Sequence, residues 1–117
     1  MKNLTIKKAV IGTSGIGQVH IREILKKKIT HLFLVGKRYK ANRALNVKLS
    51  NKNIKIINCK NIDDLKRIKF KLISICSPMH LHYKHIKFCN NLCDVMLVEK
   101  PFIWFKKKKI KVNYILN

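Results

Sequence analysis

Glycine and proline are scarce in this chain of 117 residues, with four Gly and two Pro. That excludes a collagen-like or Pro/Gly-rich disordered chain and makes each of the six positions informative. Acidic residues are nearly as rare, five Asp plus Glu against 27 Lys plus Arg. No apolar run approaches the ~20 residues of a membrane-spanning helix. The stretch from Met1 to Ile11 is too short and too charged for a cleavable signal peptide. Cys59, Cys76, Cys89 and Cys93 form no C-x-x-C pair, and with the five His they give no recognised ligand spacing, so no metal site is expected. Cys76 lies inside an apolar run, where a free thiol behaves as a small buried hydrophobe. Reduced thiols and a cytoplasmic location are the expectation.

What the chain does have is enough apolar residue, 47%, to bury a core, at a length typical of one domain. Its net charge of +22 invites a nucleic-acid reading. Composition weakens that reading. Lys (23), Ile (17) and Asn (11) make up 51 of 117 residues, and all three have AT-rich codons. The lysines are spread throughout rather than clustered in one patch. Dedicated nucleic-acid binding is therefore not expected, and the charge speaks to solubility and loose association.

Along the chain, apolar runs and helical spacings alternate. Strands are predicted over 5–11, 31–35, 54–57, 72–76 and 95–98. Ile16, Val19, Ile21, Ile24 and Leu25 recur at helical intervals, and Lys26 to Lys28 suit a helix C-terminus. Further helices are predicted over 39–49, over 80–91, and briefly after Asn61, where Ile62, Leu65 and Ile68 would share a face. Strands alternating with helices imply parallel βαβ units. The fold class is α/β: a Rossmann-type doubly wound parallel sheet in order 3-2-1-4-5, in a single domain over 1–103. Residues 104–117, with four consecutive Lys, form a basic tail outside that rhythm.

Three of the four glycines fall in one strand-to-helix turn, Gly12-Thr13-Ser14-Gly15-Ile16-Gly17, and Gly36 closes the second strand. Glycine lets a backbone turn sharply and approach a pyrophosphate, and the following helix offers unpaired N–H groups and the positive end of its dipole. The residues after the second strand discriminate between nicotinamide cofactors. A carboxylate there binds the ribose 2′-hydroxyl of NAD, whereas cations accommodate the 2′-phosphate of NADP. The chain has Lys37 and Arg38 and no nearby carboxylate, which favours NADP, with NAD as the other option.

Both prolines lie in two further motifs, Ser77-Pro78-Met79-His80-Leu81-His82 after the fourth strand and Glu99-Lys100-Pro101 after the fifth. Together with the glycine turn, and with His20 three residues beyond Gly17, these motifs resemble the Gfo/Idh/MocA oxidoreductase family over residues 5 to about 103. The resemblance implies that Gly12, Thr13, Ser14, Gly15, Ile16 and Gly17 support the pyrophosphate, with Ser14 where the family often has its second glycine. It implies that Gly36, Lys37 and Arg38 face the adenosine ribose, and that Ser77, Pro78 and His82 line the cofactor crevice. It puts Glu99 and Lys100 near the nicotinamide, with Lys100 as the catalytic acid or base. His20 is expected to be a packed helix residue, and His80 and His85 surface residues.

The family has a second α/β domain after this triplet, which supplies the substrate pocket. The chain stops 16 residues after Pro101 and is read as truncated before it. The expectation is a dinucleotide-binding domain whose complete enzyme moves a hydride to or from a sugar-like hydroxyl or carbonyl. Alone it should be inactive, with uncovered apolar surface favouring self-association. The alternatives are a non-catalytic nucleotide-binding or protein-interaction module and a basic nucleic-acid-associated protein.

Overall fold

Two-residue periodicity splits the first strand between two cores. In β1 (Lys7–Ile11), Ala9 and Ile11 enter one hydrophobic cluster and Val10 enters the other. The computed structural model describes residues 4–36 and 54–99. After β1 come α1 (Ile16–Leu25), β2 (His31–Val35), β3 (Lys55–Cys59), a 3₁₀ turn (Ile62–Leu65), β4 (Phe70–Ile75), α2 (Met79–Cys89) and β5 (Cys93–Val98). The strands form one sheet in order β3-β2-β1-β4-β5, and every neighbouring pair is parallel. This is the expected order. β1 pairs with β2 on one side (Val10 with Leu34) and with β4 on the other (Val10 with Ser74), so the direction of winding reverses there.

α1 covers one face. Its Ile21, Ile24 and Leu25, spaced as one helical stripe, pack with Val10, Leu32 and Leu34. The other face is covered by Leu65 of the 3₁₀ turn and by Ile86 and Cys89 of α2, against Ile11, Phe33, Ile73, Ile75, Met96 and Val98. Phe33 and Phe70 meet edge to face, with ring centroids 5.1 Å apart. Each of these large side chains contributes about 1.5–3 kcal/mol by leaving water.

Two local expectations are corrected. The helix after Asn61 is a single 3₁₀ turn, because Lys66 leaves the helical region with ψ 134° and Arg67 follows with a left-handed φ of 66°. Ile68 still packs on the core, now from beyond the turn. β4 and β5 each begin two residues early, since the Phe70 N–H bonds the Leu92 carbonyl at 2.6 Å and Phe70 pairs with Cys93. Among the described residues, no helix is long and apolar enough to cross a membrane. The helix expected over 39–49, together with Lys37, Arg38, Lys100 and the tail, lies outside the described residues.

Candidate functional site

The chain leaves β1 through Gly12, whose N–H bonds the Val35 carbonyl at 2.8 Å and whose φ is +93°. A Cβ on Gly12 would sit 2.7 Å from backbone atoms of Cys76 and Ser77. One on Gly17 would meet the Gly12 carbonyl oxygen at 1.9 Å. These two glycines let the turn and the start of α1 lie flat on the ends of β1 and β4. Gly36 closes β2 against the buried Thr13, whose Oγ1 would lie 2.7 Å from an added Cβ. Thr13 is held in turn by the Gln18 side-chain amide, which donates to its carbonyl.

Gly15 differs from the other three. Its φ is +53° and ψ −116°, a conformation open essentially to glycine alone, yet no atom lies within 4 Å of where its Cβ would be. The strained residue faces open space, flanked by the exposed Ser14 and Ile16. α1 starts here without a side-chain cap. The N–H groups of Gly17 and Gln18 are satisfied by the carbonyls of Ser14 and Gly15, at 2.9 and 3.0 Å. Those of Gly15 and Ile16 have no partner among the described residues. Two free donors and a positive dipole end beside empty space fit a phosphate group.

The end of β4 forms the second wall. The Cys76 N–H bonds the Ile11 carbonyl at 2.7 Å, and Ser77 follows, buried. Two histidines of α2 hold Ser77. His82 Nε2 donates to the Ser77 carbonyl at 2.6 Å, and His85 Nδ1 meets the Ser77 hydroxyl at 2.7 Å. His82 is only 1% exposed, so it supports the wall from behind Ser77, and its Nδ1 is buried without a partner. His85 is half-buried rather than a surface residue, as expected from its sequence position, because it turns inward to Ser77. Burial, with help from the charges of Lys84, His82 and His80, holds the His85 pKa below the ordinary histidine range. Pro78 and His80 are exposed at the start of α2.

The third wall is the end of β5. The Glu99 N–H bonds the Ile75 carbonyl at 3.0 Å, extending the β4–β5 ladder. Its carboxylate reaches to α1, where His20 Nε2 lies 2.6 Å from Oε2. Burial, and then the Glu99 charge, push the Cys76 thiol up to about 12. The structure thus gathers Gly12 to Gly17, Gly36, Ser77 and Glu99 at the carboxyl end of the sheet, around the point where winding reverses. In open α/β sheets this is where ligands bind. Sequence reasoning missed His20 as a partner of Glu99 and His85 as a partner of Ser77. The signal for His20 was its place one helical turn beyond Gly17. Among the described residues, no three His, Cys, Asp or Glu come together in a way that could hold a metal ion.

Residues 6–109 match the family model described as the Gfo/Idh/MocA oxidoreductase family, NAD-binding Rossmann fold. The chain belongs to the Gfo/Idh/MocA family. The match covers its NAD-binding Rossmann domain and runs on past Ile103. Among solved structures, the chain is similar to scyllo-inositol dehydrogenase from Lactobacillus casei with bound NAD(H) and scyllo-inositol (TM-score 0.60, 21% identity, covering 84% of this chain and 28% of that one). It is also similar to myo-inositol 2-dehydrogenase from Lactobacillus plantarum (TM-score 0.56, 18% identity, covering 84% of this chain and 29% of that one). The chain therefore spans less than a third of the length of these proteins. No curated protein sequence matches it. At these identities the structural likeness shows the shared fold, and the family assignment rests on the family match.

Proposed function

We propose that this domain holds a nicotinamide dinucleotide across the carboxyl ends of β1 and β4, with NADPH bound more tightly than NADH. The observation that carries the reading is Gly15, a glycine-only backbone conformation turned toward empty space beside two free N–H donors. A pyrophosphate would be received there by Gly15, Ile16 and the flanking Thr13 and Ser14, over a floor that Gly12 and Gly17 keep flat. The adenosine ribose would lie beyond Gly36, where Lys37 and Arg38 follow in sequence and supply cationic partners for a 2′-phosphate. Ser77 and Glu99 would face the nicotinamide half, with Pro78 at the rim and His82 behind.

In a complete enzyme the nicotinamide supplies a hydride acceptor or donor, and the substrate class is a sugar-like or inositol-like hydroxyl or its carbonyl. Lys100, next after Glu99, would move the hydroxyl proton, since a lysine whose pKa is lowered by burial works as an acid or base near neutrality. Fluorescence titration of the purified chain with NADPH and NADH tests this reading. NADPH should bind more tightly, and Arg38→Asp should cut that preference by about tenfold. Equal affinities for the two cofactors would remove Lys37 and Arg38 from the ribose site. Absence of any dinucleotide binding would sink the reading as a whole.

A further inference from the structure

We propose that the sheet face covered by α2 is, at its amino end, a docking surface for single-stranded nucleic acid, with a row of cations on the phosphates and a groove of α2 under the bases. The lysines are scattered along the sequence, but the strand register gathers several of them. Lys7 pairs with His31, and His31 with Lys55. Lys8 pairs with Leu72, which sets Lys71 beside Lys7. Paired residues of neighbouring strands point to the same face, and Lys7 shares its face with Ala9 and Ile11, the side on which α2 packs. Lys55, His31, Lys7 and Lys71 therefore stand side by side at strand spacings of about 4.8 Å, in a row of about 14 Å. Asp94 of β5 is next in line, and among the described residues it forms no salt bridge with Lys71. Like charges placed opposite one another destabilise a sheet. Lys8 adds to the repulsion from the other face. It is only 9% exposed, no carboxylate pairs with it among the described residues, and burial, then Lys27 and Lys71, hold its pKa below the ordinary lysine range. A bound anion would relieve both costs.

The row is too long for one phosphate group and suits a linear polyanion. What selects nucleic acid over an acidic polypeptide is α2. This helix starts beyond the carboxyl end of β4 and hands the chain to the amino end of β5, so its last turns lie toward the row. Lys69, two residues before Lys71, donates to the Asn91 carbonyl at 2.8 Å and ties the start of β4 to the end of α2. On the helix, an open groove of about 440 Å³ is lined by Tyr83, Lys84, Lys87 and Phe88. These are two pairs spaced four apart, each with one ring and one ammonium group. Lys87 Nζ lies 6.0 Å from the centroid of the Tyr83 ring. The rings are half-buried and the two lysines exposed. Rings between cations are what unpaired bases stack on while their phosphates are held. A duplex keeps its base faces covered, and an acidic peptide has none. Contacts of this kind read backbone and base faces, so they carry no sequence preference. The surface also lies at the opposite end of the sheet from the glycine turn, which leaves the crevice free.

The test is fluorescence anisotropy with a labelled oligothymidylate of about twelve nucleotides, titrated across a range of salt. Lys7→Gln/Lys71→Gln should weaken binding by about tenfold at about 0.1 M salt and flatten the salt slope by about 1.4, the share of two phosphate contacts. Lys55→Gln/Lys71→Gln, at two exposed positions, should do the same. Lys60→Gln/Lys66→Gln removes the same charge from exposed positions around the 3₁₀ turn and should cost less than about twofold. An abasic oligomer of equal length should bind about fivefold or more weakly than the oligothymidylate, and Tyr83→Leu, which keeps apolar bulk without the ring, should lose most of that difference. NADPH should not displace the oligomer. Equal losses in the row and control pairs would reduce the binding to bulk charge and overturn the assignment. It also falls if polyglutamate or the abasic oligomer binds as tightly as the oligothymidylate, since the bases then contribute nothing. Displacement by NADPH would put the strand in the crevice instead, and no binding at all would leave the row a solvated surface.

Discussion

Gly15 and Gly17 are two positions apart, and the same substitution should have opposite consequences at them. Alanine at Gly17 would drive a methyl group to 1.9 Å from the Gly12 carbonyl oxygen, a backbone atom that cannot move aside without lifting α1 from the sheet. We expect Gly17→Ala to lose about 3 kcal/mol or more of stability, read as a drop in the urea midpoint. Alanine at Gly15 meets nothing, and its cost is backbone strain of about 1–3 kcal/mol. Gly15→Ala should fold and yet lose NADPH affinity, because the strain it adds favours a turn in which the free N–H groups no longer converge. Both glycines were legible in the sequence as members of one cluster. Their division of labour was not, since it depends on whether the space beyond each is filled by Gly12 or is empty. The contact of His20 with Glu99 was hidden for a similar reason: the two are 79 apart in sequence, and only the sheet order brings them together.

At the scale of elements, the strands were readable because parallel strands buried on both faces are continuous apolar runs, as in Leu32 to Val35. The segment after Asn61 was misread because the spacing of Ile62, Leu65 and Ile68 suits a helix, whereas Arg67 turns the chain left-handed before the third of them. In α2 the burial of His82 could not be anticipated, since a histidine in a first turn is more often at the surface. Its role can be measured. His82→Ala removes both the bond to the Ser77 carbonyl and a fully buried ring, and should cost about 2–4 kcal/mol in chemical denaturation. His85→Ala, at a half-buried site, should cost about 1 kcal/mol. Comparable losses at both positions would mean that Ser77, rather than the core beneath it, is what the two histidines stabilise.

For the whole molecule, the titrating groups bracket a window of stability. The folded-state pKa of His85 lies below its ordinary 6.5, so the unfolded chain takes up the proton first and stability falls as pH drops below about 6.5. Burial raises the thiols from 9.0 to about 12 at Cys76 and about 11 at Cys93. The folded chain keeps these protons longer than the unfolded one, so stability falls again as pH climbs from 9 toward 11 and 12. Lys8, lowered by burial and by Lys27 and Lys71, works against the thiols as pH rises toward 10.5, but it is one group facing four, since burial also raises the Cys59 and Cys89 thiols. Urea midpoints measured from pH 5 to 11 should therefore be highest between about 6.5 and 9. A midpoint still rising above pH 9 would show that relief of lysine repulsion outweighs the thiols.

The strand order also has a consequence for the chain as it is made. β1 is central in space and first in sequence, and its two edges are filled at very different times. β2 is available to pair with it almost at once, whereas β4 arrives only after most of the described chain has been synthesised. Until then β1, with its apolar Ala9, Val10 and Ile11, presents one row of unsatisfied N–H and C=O groups to whatever is nearby, including the same strand of a neighbouring nascent chain. The insertion of β4 is thus the step that covers the open edge of β1, and the same step brings Ser77 and Cys76 beside Gly12. In this domain, protection of β1 from mispairing and the meeting of the first two walls of the crevice are one event.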